Sequence, residues 1–230
     1  MGISIAFRYI SGKQAYDMIP QMPQGVPKIK VGQYKLFLDD ERHNAAAKEL
    51  ILLKHKSHNA VLKKIGAPTL NESLPESAVA RQYFEHFGEY VRTRGYEYES
   101  RKGKFGVLNR EATNIINSVL NLLYGYAEAR LMREICLAGL DPQIGVLHKP
   151  TLSKESLSYD LIEMLRAQID GIVLKLIDEH FVRFAQFQAI DSSHYVVKEP
   201  RKFIDKVDAE LGRKEYRGCV EWLLKKLNVR

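Results

Sequence analysis

The stretch EATNIINSVLNLLYGYAEARLMREICLAGL, residues 111–140, decides the fold. Ile115, Ile116, Val119, Leu120, Leu122, Leu123, Tyr126, Leu131 and Ile135 cover nearly every side of a helix drawn over 111–138. A surface helix keeps one polar face, whereas a helix that is apolar all round is covered on most sides. This one is therefore expected at the centre of the fold. Gly139 closes it at a C-cap, where left-handed backbone favours glycine.

Working outward, helical spacing recurs on both sides. Residues 140–155 read as a loop, Ser156 begins a helix to about His180, and two more cover about 199–211 and 213–227 around Gly212. Upstream, 92–106 is a polar loop. LPESAVARQYFEHFGEYV (74–91) reads as a helix with Ser73 or Leu74 capping and Pro75 in its first turn, where proline is tolerated. A further helix runs from Gln33 to about Ile65, and Gly66 stops it. Pro20, Pro23, Gly25, Pro27 and Gly32 mark 20–32 as a linker. Residues 3–19, with β-branched ISIAF and a Ser11-Gly12 turn, read as a small β-hairpin. The expected class is mainly α: a multi-helix domain over 33–230 with a small N-terminal β-hairpin in the 1–32 segment.

The chain has 230 residues, enough to bury a sizeable core. Its 35 Lys plus Arg against 28 Asp plus Glu give a net +7, which favours a polyanionic partner without requiring one. Cys136 and Cys219 lie far apart and form no CxxC, so neither a zinc site nor a disulfide framework is implied. That usage fits a reducing, cytoplasmic setting. No apolar run approaches the roughly 18 residues of a membrane span, and no secretion signal opens the chain.

Chemistry concentrates in GVLHKPTLSKESLSYDLIEMLR, residues 145–166. His148 ends a short apolar run in a loop. Asp160 and Glu163, three apart on the following helix, fall on nearly one face among Leu157, Leu161, Met164 and Leu165. Like charges in an apolar setting repel unless a cation joins them. One imidazole with several carboxylate oxygens suits Mg²⁺ or Mn²⁺. The plainer reading is also open: acids are favoured early in a helix, Glu163 can pair with Arg166, and His148 can be an ordinary loop histidine. A His-Asp phosphohydrolase is disfavoured, because the chain has no HD dipeptide.

The wider pattern resembles a known family. NLLYGYAEARL (121–131), AGLDPQIGVLH (138–148), SLSYDLIEMLR (156–166), Asp170, and upstream ESAVARQYF (76–84) and QYKLFLD (33–39) occur in the order seen in the CRISPR-associated spacer-acquisition integrase, the "Cas one" endonuclease. The likeness runs over about 33–227. It implies that Glu76, His148 and Glu163 bind one divalent metal, Mg²⁺ or Mn²⁺, and that Asp160 assists. Spacing alone does not single out Glu76. Read without the family, it is simply an acid at a helix N-terminus.

The resemblance implies a metal-dependent DNA endonuclease and integrase that inserts short DNA fragments into a CRISPR array by transesterification. The expected partners are double-stranded DNA with single-stranded 3′ ends, CRISPR repeat DNA, a small bridging protein, and a second copy of the chain. The family begins with a β-rich dimerisation domain of which ISIAFRYISGKQAY (3–16) resembles the last strands, so 1–32 is expected to be a remnant of that domain and its linker. The alternative is a catalytically impaired, truncated member that binds DNA or serves assembly. For DNA contacts, Arg81 is expected near the metal, and its other reading is an ion pair with Glu85. The 92–104 loop offers Arg94, Lys102 and Lys104 interleaved with Tyr96 and Tyr98. That mix suits a held single strand and equally a solvated loop.

Overall fold

The computed structural model describes residues 26–71, 73–101, 112, 114–148, 150, 155–191 and 194–228. The expected hairpin at 3–19 and the linker up to residue 25 lie outside them. Among the described residues the chain is mainly helical. In order it forms α1 (Val26–Leu38), α2 (Asp40–Lys64), α3 (Glu76–Thr93), α4 (Ile115–Leu137), α5 (Ser156–Leu161), α6 (Arg166–Asp178), strands β1 (Phe187–Asp191) and β2 (His194–Val197), α7 (Pro200–Glu210) and α8 (Arg213–Lys226). Two units are built from these. Among the described residues, one takes in those up to Leu50, those within Ala127–Glu163 and those from Arg213 onward; the other takes in those within Ile51–Tyr126 and Met164–Gly212.

The helix read over 111–138 is present, with a later start. Asn114 accepts the N–H of Asn117 on its side-chain oxygen (2.8 Å), so it caps α4 three residues beyond the expected beginning. Gly139 ends the helix at φ +75°. Ile116, Val119, Leu120, Leu123, Ala127, Leu131 and Ile135 are completely buried.

The single helix expected over 33–65 is instead two. It begins early, at Val26, because Pro27 in the first turn gives up only an N–H that needs no helical partner. Residues 26–32, read as linker, are therefore helical. The break falls at Asp39, whose side chain accepts the N–H of Arg42 (3.1 Å) and so caps α2.

In the first unit, α1 staples the loop after α4. The buried Gln33 amide donates to the carbonyls of Asp141 (2.9 Å) and Ile144 (2.8 Å) and accepts the Asp141 N–H (2.8 Å). α8 closes the unit: Trp222 and Lys226 both bond Glu49, at 2.7 and 2.5 Å, and Arg213 pairs with the buried Glu134 at 2.8 Å.

In the second unit, α3 buries Val79, Tyr83, Phe87 and Val91, and α6 buries Ile169, Ile172, Val173 and Ile177. Asp170 is fully buried and accepts hydroxyl protons from Tyr83 (2.8 Å) and Tyr124. The guanidinium groups of Arg101 and Arg166 lie 5.2 and 5.3 Å from the Tyr124 ring. His58 stacks on Tyr83 with centroids 3.9 Å apart. Burial first, then the charges of Lys54, His55 and Arg166, push its imidazole down to about 3, so it is neutral in use. β1 and β2 pair antiparallel with Phe187 opposite Val197 and Ala189 opposite Tyr195. This hairpin lies between α6 and α7 along the chain.

Candidate active site

The loop Gly145–His148 and the helix α5 meet through one carboxylate. Asp160 is fully buried. Its Oδ2 accepts the backbone N–H groups of Val146, Leu147 (2.8 Å) and His148 (3.3 Å), and its Oδ1 meets Nδ1 of the His148 ring. An ionised carboxylate only accepts, so Nδ1 carries the proton and the lone pair is left on Nε2. The His148 side chain is 61% exposed. A histidine oriented through Nδ1 with a free Nε2 is the arrangement that metal-binding imidazoles adopt.

Glu163 follows in a 3₁₀ turn, Ile162–Met164, and is buried. The expected continuous helix from Ser156 to about His180 is therefore interrupted after Leu161 and resumes at Arg166. Neither proline nor glycine marks the interruption in the sequence; it belongs to tertiary packing. Leu157 and Leu161 are fully buried around Asp160, so this acid does not lie on a solvated helix face. A buried carboxylate costs several kcal/mol unless it is hydrogen-bonded, and at Asp160 the loop amides and the imidazole supply the partners.

Glu76 opens α3 in the second unit, with Pro75 before it. Its Oε1 takes the Lys54 ammonium at 2.6 Å, with the lysine side chain only 11% exposed. The sequence carried a signal for this pair. Lys54 sits in the apolar stripe of α2 with Leu50 and Val61, where a cation needs a counter-charge. His148, Asp160 and Glu163 share one unit, and His148 and Asp160 are in direct contact. Among the described residues, no three His, Cys, Asp or Glu side chains are gathered to hold a metal ion.

The expected DNA contacts divide. Arg81 is exposed on α3. Arg94 caps the same helix, where its guanidinium lies 3.5 Å over the Tyr90 ring and pairs with Asp178 at 3.0 Å. Lys102 and Lys104 lie outside the described residues. The aromatic part of that loop is corrected at Tyr98. Tyr98 is buried against Phe87 at 5.3 Å, and the Tyr96 hydroxyl donates to the Val182 carbonyl at 2.7 Å. The Tyr98 ring belongs to the core and offers no face to a base, whereas Tyr96 is half-buried and anchored by its hydroxyl. Among the described residues no helix is long and apolar enough to cross a membrane.

The model of the family "CRISPR associated protein Cas1" matches residues 73–207, more than half of the chain and a span that contains Glu76, His148, Asp160 and Glu163. The chain belongs to the Cas1 family. The CRISPR-associated endonuclease Cas1 1 of Archaeoglobus fulgidus is 39% identical over 83 residues, 36% of this chain and 24% of that protein. The CRISPR-associated endonuclease Cas1 1 of Francisella tularensis subsp. novicida is 32% identical over 203 residues, 78% of this chain and 62% of that one. The chain thus spans less than two thirds of the length of these Cas1 relatives. A solved casposase bound to integration product superposes with a TM-score of 0.79 at 24% identity, covering 90% of this chain and 71% of that one. At that identity the likeness establishes the fold.

Proposed function

We propose that this chain is a divalent-metal-dependent DNA integrase and endonuclease that joins short DNA fragments to a CRISPR array by transesterification. The observation that carries the reading is His148, held through Nδ1 by the buried Asp160 with Nε2 turned free, in a chain of the Cas1 family. Nε2 of His148 and the carboxylates of Glu163 and Glu76 are the groups that would hold Mg²⁺ or Mn²⁺. Such a donor set, one imidazole and carboxylate oxygens, fits a hard cation. The bound metal would polarise a phosphodiester and stabilise the charge that develops on its oxygens.

The chain's own residues have separable tasks. Asp160 keeps the proton on Nδ1 of His148. Glu76 exchanges one cation, the Lys54 ammonium, for another. Arg81 neutralises a phosphate of the bound strand. The substrate class is duplex DNA with single-stranded 3′ ends together with repeat DNA, in line with the net +7 charge and with a fold neighbour that carries an integration product. A small bridging protein and a second copy of the chain complete the assembly in this reading.

The test is strand transfer of a 3′-ended duplex into repeat DNA with Mn²⁺. His148→Ala and Glu163→Ala are expected to lower the rate at least a hundredfold while DNA affinity stays within twofold. Full activity in both variants refutes the metal site. The Lys54–Glu76 pair favours a second reading, a DNA-binding or assembly subunit in which Glu76 stays occupied by the lysine. That reading expects tight DNA binding and no turnover in the unmodified chain.

A further inference from the structure

Gly145 stands one residue before the three amides that gather on Asp160. A Cβ built on it would fall onto Oδ2 of Asp160, and would lie 2.9 Å from the His148 carbonyl oxygen and 3.0 Å from Cβ of Ser156. The backbone at Gly145 is not in the left-handed region, so space and not dihedral freedom demands glycine here. The obstacle cannot swing aside cheaply. Oδ2 is the atom held by the N–H groups of Val146, Leu147 and His148, and Asp160 is fully buried. The second obstacle, the His148 carbonyl, is backbone.

We propose that Gly145 is a positioning residue for His148: its missing side chain is what lets the Asp160 carboxylate seat among the loop amides and fix the imidazole in its Nδ1-protonated form. The sequence of effects is short. A methyl at 145 displaces Oδ2. The displaced carboxylate loses the loop amides and moves Oδ1 off Nδ1. Free of that acceptor, the neutral ring reverts to the Nε2-protonated form preferred in water, in which Nε2 has no lone pair to give. The consequence for strand transfer rests on the integrase reading above; the tautomer itself does not.

The experiment is a long-range proton–nitrogen correlation spectrum of the ¹⁵N-labelled full chain without metal at pH 8, where an ordinary imidazole is neutral. His148→Gln identifies the ring signals. The unmodified chain is expected to show the Nδ1-protonated pattern for His148. Gly145→Ala and Asp160→Ala are each expected to show mainly the Nε2-protonated one. Retention of the first pattern in folded Gly145→Ala overturns the proposal.

Stability supplies an independent arm should the single variant fold poorly. Removing the Asp160 carboxylate removes the nearest obstacle, so Gly145→Ala is expected to lower Tm clearly in the parent and by less than half as much in an Asp160→Ala background. Equal drops in the two backgrounds refute the link between the residues. With the integrase reading in force, Gly145→Ala lowers Mn²⁺-dependent strand transfer at least tenfold, the usual scale for a group that orients a metal ligand. If the tautomer changes while strand transfer does not, the integrase site fails and the positioning role stands.

Discussion

A carboxylate reports its surroundings through the proton it keeps. Asp170 is fully buried: burial pushes its carboxyl up to about 6, and the hydrogen bonds from Tyr124 and Tyr83, then the charges of Arg101 and Arg166, oppose the rise. The folded state then holds this proton more tightly than the unfolded chain does. The group's contribution to stability is fully present below the unfolded carboxyl value of about 4 and is lost as pH rises through about 6. Two pH units correspond to about 3 kcal/mol. Asp170→Asn keeps the shape and an acceptor for a tyrosine and removes the titration. Urea unfolding of both forms at pH 4 and pH 7 should show the gap between them moving in favour of the asparagine form by about that amount. A gap that stays constant across the window means the carboxyl is not raised. Asp160 is as deeply buried, yet it lies on three amides and an imidazole. Burial alone therefore does not define what surrounds a carboxylate.

At the scale of elements, the helices were legible where one physical rule acted alone. The all-round apolar run of α4 and the glycine after it gave that helix directly, and α7 and α8 followed from spacing around Gly212. Rules in competition were harder to read. Asp39 reads as one more acid in a long helix until its side chain is seen capping α2. The interruption after Leu161 has no breaker residue. The loop after α3 shows the same limit. Its tyrosines and arginines have the composition of a strand-binding loop, but composition cannot tell a ring facing solvent from one facing the core. Gly88 on α3 leaves room for Tyr98: a Cβ there would approach the ring to 2.7 Å. Tyr98→Ala should therefore act on stability, costing about 3–5 kcal/mol in the manner of a buried aromatic. Thermal unfolding measures the loss. DNA affinity of the protein that remains folded should change less than twofold, and a tenfold loss would restore the ring to a binding role.

For the whole molecule, family and charge were within reach of the sequence, and the site only in part. His148, Asp160 and Glu163 cluster along the chain, so spacing finds them. Glu76 comes from a distant segment, and only resemblance to a family could join it to the others. Gln33 and Gly145 act through contacts that no spacing encodes. The net charge of +7 makes a claim of its own. If phosphate contacts lead the binding, each neutralised phosphate releases counterions, and log affinity falls with log salt at a slope of about −0.9 per contact on duplex DNA. Arg81 is exposed on the helix that Glu76 opens. Arg81→Ala should therefore weaken duplex binding whatever the base sequence and make the slope shallower by about 1. Fluorescence anisotropy between 50 and 300 mM salt, on two unrelated sequences, reads both quantities together. Arg94 is the internal control: its guanidinium is stacked on Tyr90 and paired with Asp178, so Arg94→Ala should leave the slope unchanged and lower stability instead. A slope that responds to Arg94 and ignores Arg81 would move the DNA path off the face of α3 that carries Arg81 and towards the end of that helix.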